Sequence, residues 1–336
     1  MKLRILSETD VRRCVDMSDA IEAQAQAFAL LAGKQTVEGL RSFVANESPP
    51  SVTIFNPGYL KNGGGFGIKV VSDFFQNDDR TIPRMSALVV LFCGQTGLPR
   101  TVMEGGYLTD LRTGAGTALA ARYLARADSS SLVLFGAGRV ARNQLVALGN
   151  VFPLKRVRVV TRSPVRAESF IRWARSAGGG VPVDVALAAE GDVAVADADV
   201  VVCATTATQP ALHGAALRRG TFVAAVGANR ADTREVDSET IARAAKRVID
   251  SRADCLKHAG DLQIPFSEGV LREGEVAEIA EVVAGQRPGR ENASEITYYK
   301  SIGVPIQDIW TAQRIEACAI AAHIGTILEI GGESSQ

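Results

Sequence analysis

The chain has little of what marks a metalloenzyme or a secreted scaffold. In 336 residues there are three histidines (213, 258 and 323) and five cysteines (14, 93, 203, 255 and 318), with no C-x-x-C pair. The histidines are isolated, so no His/Cys/carboxylate cluster has metal-ligand spacing and no metal is expected. An odd number of scattered cysteines argues against a disulfide framework. Neither charge sign is in excess: 37 Lys and Arg balance 37 Asp and Glu. That balance speaks against nucleic acid or an anionic membrane as partner. No apolar run approaches the ~20 residues of a membrane-spanning helix. The opening MKLRILSETDV lacks the apolar stretch of a signal peptide, so the expectation is a cytoplasmic protein.

What is present fits a globular chain of about two domains. Residues 7–33 read as helical, with Ser7 as N-cap, Asp10 at the capping-box position, Ser18 as a second cap and Gly33 as the stop. Segments 51–56, 65–72 and 86–93 read as strands, and PRTVME returns after a turn at Gly94–Gly97. From about residue 115 the pattern changes. Helices over GAGTALAARYLARA, ARNQLVALGNV and 165–177 alternate with short apolar strands in SLVLF, RVRVV, DVVVC, TFVAA and KRVID. Such alternation implies a parallel sheet covered on both faces. Segment 306–331 reads as one long helix without a strand partner. The expected class is α/β: a Rossmann-type dinucleotide-binding domain plus a mixed α+β domain.

The strand SLVLF runs into Gly136-x-Gly138-x-x-Ala141 and then into a helix. The first glycine permits the tight turn, the second lets backbone approach a pyrophosphate, and the alanine allows close helix–strand contact. The next strand ends in Thr161-Arg162-Ser163, with Arg166 nearby and no carboxylate to accept from a ribose 2′-hydroxyl. Arg162 suits a 2′-phosphate, which favours NADP over NAD. Thr205, Thr206, Gly227 and Asn229 follow later strands and are expected to line the nicotinamide half of the cleft. Lys69 interrupts the apolar strand GFGIKVV, and Arg112 stands near the start of a helix. Both call for an anion, and with Arg41 they could clamp an α-carboxylate. Tyr59, Phe74, Phe75, Met85 and Tyr107 line a pocket or belong to the core.

The stretches GIKVVSDF, IPRMSALVVLF, YLTDLRTGAGTALAARYLA, LVLFGAGRVARNQL, VGANRADTREVD and GRENASEITYYKSIG together resemble the ornithine cyclodeaminase/mu-crystallin family. The resemblance runs across nearly the whole chain. It implies a dinucleotide-binding domain (116–305) inserted into a substrate-binding and dimerisation domain (1–115 with 306–336), in a homodimer. It implies that Lys69 and Arg112 hold an amino- or imino-acid carboxylate, with Arg41 as a third contact. It also places Arg112, Thr113, Arg139, Val140 and Ser294 beside the cofactor, Ser294 on the nicotinamide side. Cyclodeaminases and the alanine-dehydrogenase type resemble G-x-Asp where this chain has Gly227-Ala228-Asn229. An amide orients a substrate nitrogen but takes no proton from it at neutral pH. Asp232 is the nearest substitute carboxylate. The resemblance therefore favours an NAD(P)-dependent imine reductase acting through Lys69, Arg112 and Asn229. The alternatives are an ornithine cyclodeaminase holding NAD and an NADP-binding protein without turnover.

Overall fold

The computed structural model describes residues 1–79, 82–176 and 184–331. In chain order the elements begin with β1 (Lys2–Leu6), α1 (Glu8–Cys14), α2 (Met17–Ala32), β2 (Thr36–Glu38), β3 (Ser42–Glu47), β4 (Pro50–Leu60), β5 (Gly65–Phe74), β6 (Met85–Phe92), β7 (Pro99–Glu104) and α3 (Gly106–Leu124). They continue with β8 (Ser131–Phe135), α4 (Arg139–Gly149), β9 (Arg156–Val160), α5 (Pro164–Ser176), β10 (Asp184–Leu187), α6 (Gly191–Val195), β11 (Val200–Cys203), β12 (Phe222–Ala225), α7 (Ser238–Arg243) and β13 (Lys246–Ile249). The last are α8 (Arg252–His258), α9 (Gly260–Ser267), β14 (Val276–Glu278), α10 (Ile279–Val283), β15 (Thr297–Lys300), α11 (Pro305–Ala321) and β16 (Thr326–Glu329). Two compact units result: Met1–Arg112 with Val304–Gln336, and Thr113–Gly303.

In the first unit a sheet runs β16-β1-β7-β6-β5-β4-β2, with β3 also on β4. Every pair is antiparallel except β1 with β7. Helix α11 lies against β4 and β5 because two glycines leave room for it. A Cβ on Gly58 would stand 2.8 Å from Ile309 Cδ1, and one on Gly67 2.8 Å from Ile309 Cγ1. Buried Gln24 donates to Thr311 Oγ1 at 2.9 Å and accepts from Gln307 Nε2 at 2.9 Å, which fixes α11 against α2. Within the unit the other sheet face is less covered: Val44 on β3 and Leu88 on β6 are exposed.

The second unit is built on the parallel sheet β10-β9-β8-β11-β12-β15-β13-β14. Strands β8, β11 and β12 are buried along their whole length, as continuous apolar runs in a two-faced sheet should be. The small residues of GAGT in α3 have a packing reason: a Cβ on Gly114 would stand 2.7 Å from the Asn143 carbonyl oxygen of α4.

Several local expectations change. The long helix expected over 306–331 ends at Ala321. His323 (φ 53°) and Gly325 (φ 90°) turn the chain, and Thr326–Glu329 pairs antiparallel with β1. Thr326 and Ile327 are β-branched and, after a glycine break, extend rather than continue the helix. The cap of α2 is Asp16, which accepts from the Asp19 amide, while Ser18 is inside the helix. Helix α3 begins at Gly106, where the Glu104 carboxylate accepts from the Gly106 and Tyr107 amides. Helix α5 ends at Ser176, and the final residue of the helix expected over 165–177 lies outside the described residues. Among the described residues no helix is long and apolar enough to cross a membrane, and no group of three His, Cys, Asp or Glu could hold a metal ion.

Candidate active site

On β5 the buried positions alternate, and Lys69 shares the face of Gly67 and Val71 that α11 covers. The close approach at Gly67 brings the N-terminal part of α11 over Lys69. Asp308, the fourth residue of that helix, accepts from Lys69 Nζ at 2.6 Å through Oδ2 and from Arg112 Nε at 2.8 Å through Oδ1. All three side chains are at least 95% removed from solvent. Arg112 is therefore the seventh residue of α3, at the end of its second turn, rather than at its start. The anion it needs is Asp308, which sequence reasoning missed. Asn56, opposite Lys69 on β4, accepts from Arg41 Nε at 2.9 Å, so Arg41 joins the same cluster.

The electrostatics follow from burial. Desolvation, then repulsion by Arg112, pulls the Lys69 ammonium down to a pKa of about 7 against the opposing pull of Asp308, with Arg41 adding to the depression. The Asp308 carboxyl is held below its ordinary range, because Arg112 and Lys69 outweigh the burial that pushes it up. Its place in the first turn of α11 adds a favourable helix end. Two buried cations share one carboxylate, so the cluster carries surplus positive charge suited to an anion. Of the residues read as pocket or core, Tyr59, Phe74, Phe75 and Met85 are each more than a third exposed and so outside the core, while Tyr107 is half-buried with Arg12 stacked over it at 3.7 Å.

In the second unit the chain leaves β8 through Gly136 at φ 108°, where a Cβ would stand 2.4 Å from the Ala204 carbonyl oxygen. Gly138 is the N-cap of α4 and offers no side-chain cap, and a Cβ there would meet nothing within 4 Å. Arg139 and Val140 open that helix, and Ala141 is buried beneath it. A positive helix end faced by open space fits a dinucleotide pyrophosphate. Thr161 and exposed Arg162 follow β9, with Ser163 donating its amide to Thr161 Oγ1. Thr113, in α3, accepts from Thr117 Oγ1 through its carbonyl. Thr206 and Asn229 are exposed on the loops after β11 and β12.

Beneath those loops lies a buried ionic network that the sequence did not announce. Glu235 Oε1 accepts from the Thr205 amide (2.6 Å) and hydroxyl (2.8 Å), and Oε2 from the Gly227 (2.6 Å) and Ala228 (3.1 Å) amides. Thr205, half-buried after β11, thus turns its hydroxyl to Glu235. Asp261 Oδ1 accepts from the Glu235 and Val236 amides, while Lys300 Nζ donates to Asp261 Oδ2 and to the Ala228 carbonyl, both at 2.6 Å. Glu235, Asp261 and Lys300 are all fully buried. Burial raises the Glu235 carboxyl above its usual range, against the pull of Lys300. The Lys300 ammonium is raised, burial being outweighed by Asp261 and Glu235.

One further expectation is corrected. Ser294 precedes β15, and its carbonyl accepts from Gly220, just before β12. Its hydroxyl accepts from Arg219 and donates to Asn292. In a parallel sheet that is the amino edge, opposite the edge carrying Gly136, Thr205 and Gly227, so Ser294 is not on the nicotinamide side. Asp232 is exposed and engaged by Arg230 Nε at 2.9 Å, a local pair.

The sequence pattern of the ornithine cyclodeaminase/mu-crystallin family matches residues 1–321. A Delta(1)-pyrroline-2-carboxylate reductase of Bacillus cereus is 30% identical over 326 residues, covering 97% of this chain and 99% of that one. The structure of Thermococcus litoralis Delta(1)-pyrroline-2-carboxylate reductase in complex with NADH and L-proline superposes with a TM-score of 0.92 at 34% identity, covering 96% of this chain and 99% of that one. An archaeal alanine dehydrogenase dimer with bound NAD gives a TM-score of 0.91 at 30% identity, covering 98% and 100%. With the family pattern matched over residues 1–321 and nearly the whole chain covered by these relatives, the chain belongs to the ornithine cyclodeaminase/mu-crystallin family.

Proposed function

We propose that this nicotinamide-dependent oxidoreductase reduces a cyclic imino acid, a Δ1-imine-2-carboxylate, to the L-amino acid. The observation that carries the reading is the buried Lys69–Asp308–Arg112 cluster, whose surplus charge suits one carboxylate. Arg112 and Lys69 neutralise that carboxylate, and Arg41, bonded to Asn56, completes the grip. Asp308 keeps the two cations in register. Bound reduced nicotinamide supplies the hydride to the imine carbon. Lys69 Nζ, poised near pH 7, holds a proton that the imine nitrogen can take up as it becomes an amine. Asn229 offers an amide that orients the substrate nitrogen by hydrogen bonds and takes no proton from it, leaving proton transfer to Lys69.

The dinucleotide lies on the helix end at Gly138–Val140, with Thr113 beside it and Thr206, Gly227 and Asn229 toward the nicotinamide. Thr161 and Arg162 receive the adenosine ribose, and the exposed guanidinium favours a 2′-phosphate, hence NADP. The first unit, Met1–Arg112 with Val304–Gln336, binds substrate and pairs two copies through its uncovered sheet face, where Val44 and Leu88 stand. The test is spectrophotometric. Loss of reduced-nicotinamide absorbance with Δ1-pyrroline-2-carboxylate, yielding L-proline, is the expected result. Ammonia released from ornithine without added reductant would instead establish a cyclodeaminase.

A further inference from the structure

We infer that Glu235, backed by Asp261 and Lys300, is a positioning residue that shapes the cofactor edge of the second unit. Its carboxylate collects four donors from two separate loops: the Thr205 amide and hydroxyl after β11, and the Gly227 and Ala228 amides after β12. These loops have few other ways to agree on a shape, since neither is a regular element. The fit is tight: a Cβ on Gly227 would stand 2.2 Å from the Thr205 carbonyl oxygen and 2.6 Å from Glu235 Oε1. Glu235 is held from behind, its own amide and that of Val236 donating to Asp261 Oδ1. Lys300 closes the frame by donating to Asp261 and to the Ala228 carbonyl, so both the amide and the carbonyl of Ala228 are fixed. Asn229, the next residue, is exposed on this frame. Four N–H or O–H groups aimed at one side chain require an acceptor at both oxygens, which a carboxylate supplies and an amide does not. The inference rests on the reading of this edge as the nicotinamide side of a dinucleotide site. Glu235 touches neither substrate nor cofactor in this account and acts through Thr205, Gly227 and Ala228.

Glu235→Gln tests it. The substitution keeps size and packing but turns an NH2 group toward two of the four donors. Expected are a folded protein by circular dichroism, a roughly tenfold weaker fluorescence-titrated affinity for NADPH and NADH, and a fall of about 100-fold in kcat. The primary deuterium isotope effect with 4-deuterated reduced cofactor should rise as hydride transfer becomes limiting. A merely structural role would lower the melting temperature and leave cofactor affinity and isotope effect untouched in the folded protein; that result overturns the inference. If Glu235→Gln does not fold, Thr205→Val removes one donor and leaves the charge paired. A smaller loss with a raised isotope effect then supports the inference, and wild-type values overturn it. Failure of the unmodified protein to bind either cofactor would refute the underlying reading, whereas wild-type binding with an unchanged Glu235→Gln refutes the inference alone.

Discussion

Lys69 has exchanged water for a strand interior and keeps its charge on terms set by three neighbours. Burial, then Arg112 and more weakly Arg41, oppose the ammonium and Asp308 favours it, leaving its pKa at about 7 rather than 10.5. The sign is direct: below that value Lys69 is an ammonium that binds a carboxylate and can give up a proton, and above it Lys69 is a neutral amine. Reductive kcat/KM should therefore fall as pH rises through about 7, and amino-acid oxidation should gain over the same span. Lys69→Arg, always charged, should flatten that limb of the profile. A flat wild-type profile between pH 6 and 8 would remove Lys69 from the proton economy of the site. Asp308 carries the complementary prediction. Asp308→Ala strands two buried cations and should cost about 3–5 kcal/mol of stability in urea denaturation at neutral pH. An unchanged midpoint would mean that water already shares the cluster.

At the scale of elements, the seat of α11 on β5 is what joins Lys69 to Asp308. Gly67→Ala would place a methyl 2.8 Å from Ile309 Cγ1 and 3.0 Å from Cγ2, lifting the helix. We expect a KM for the imino acid raised about tenfold with cofactor affinity unchanged, consistent with an overpacking cost of ~1–3 kcal/mol. Equal loss of both affinities would contradict a local effect. The legibility of the sequence follows the same geometry. Gly136, Gly138 and Ala141 were readable because strand, turn and helix are contiguous there. Lys69 was readable as a lone charge in an apolar strand. Asp308 was not, because its partner Arg112 lies 196 residues away and an aspartate in an amphipathic helix looks like surface. Glu235, Asp261 and Lys300 escaped for the same reason: burial reached from separate segments leaves no spacing to read. Arg112 was picked out for a helix end that it does not occupy, and Ser294 failed because resemblance named a residue without saying at which end of a strand it sits.

The molecule as a whole consists of two units, one carrying the buried cation cluster and one the glycine turn at Gly136–Gly138 that is proposed to hold the dinucleotide. Cofactor choice belongs to this scale, since Arg162 is remote in sequence from every substrate residue. Arg162→Ala should raise the KM for NADPH about tenfold and leave that for NADH nearly unchanged. Equal effects on both would remove the 2′-phosphate from the account. The central claim is that a lysine and an arginine present an imino acid to reduced nicotinamide. Its most direct test is the steady-state reduction of Δ1-pyrroline-2-carboxylate by the unmodified protein and by Arg112→Ala. The account predicts L-proline formation by the former and a loss of 100- to 1000-fold in kcat/KM in the latter, on the order of 3–4 kcal/mol. A loss below about tenfold would contradict it.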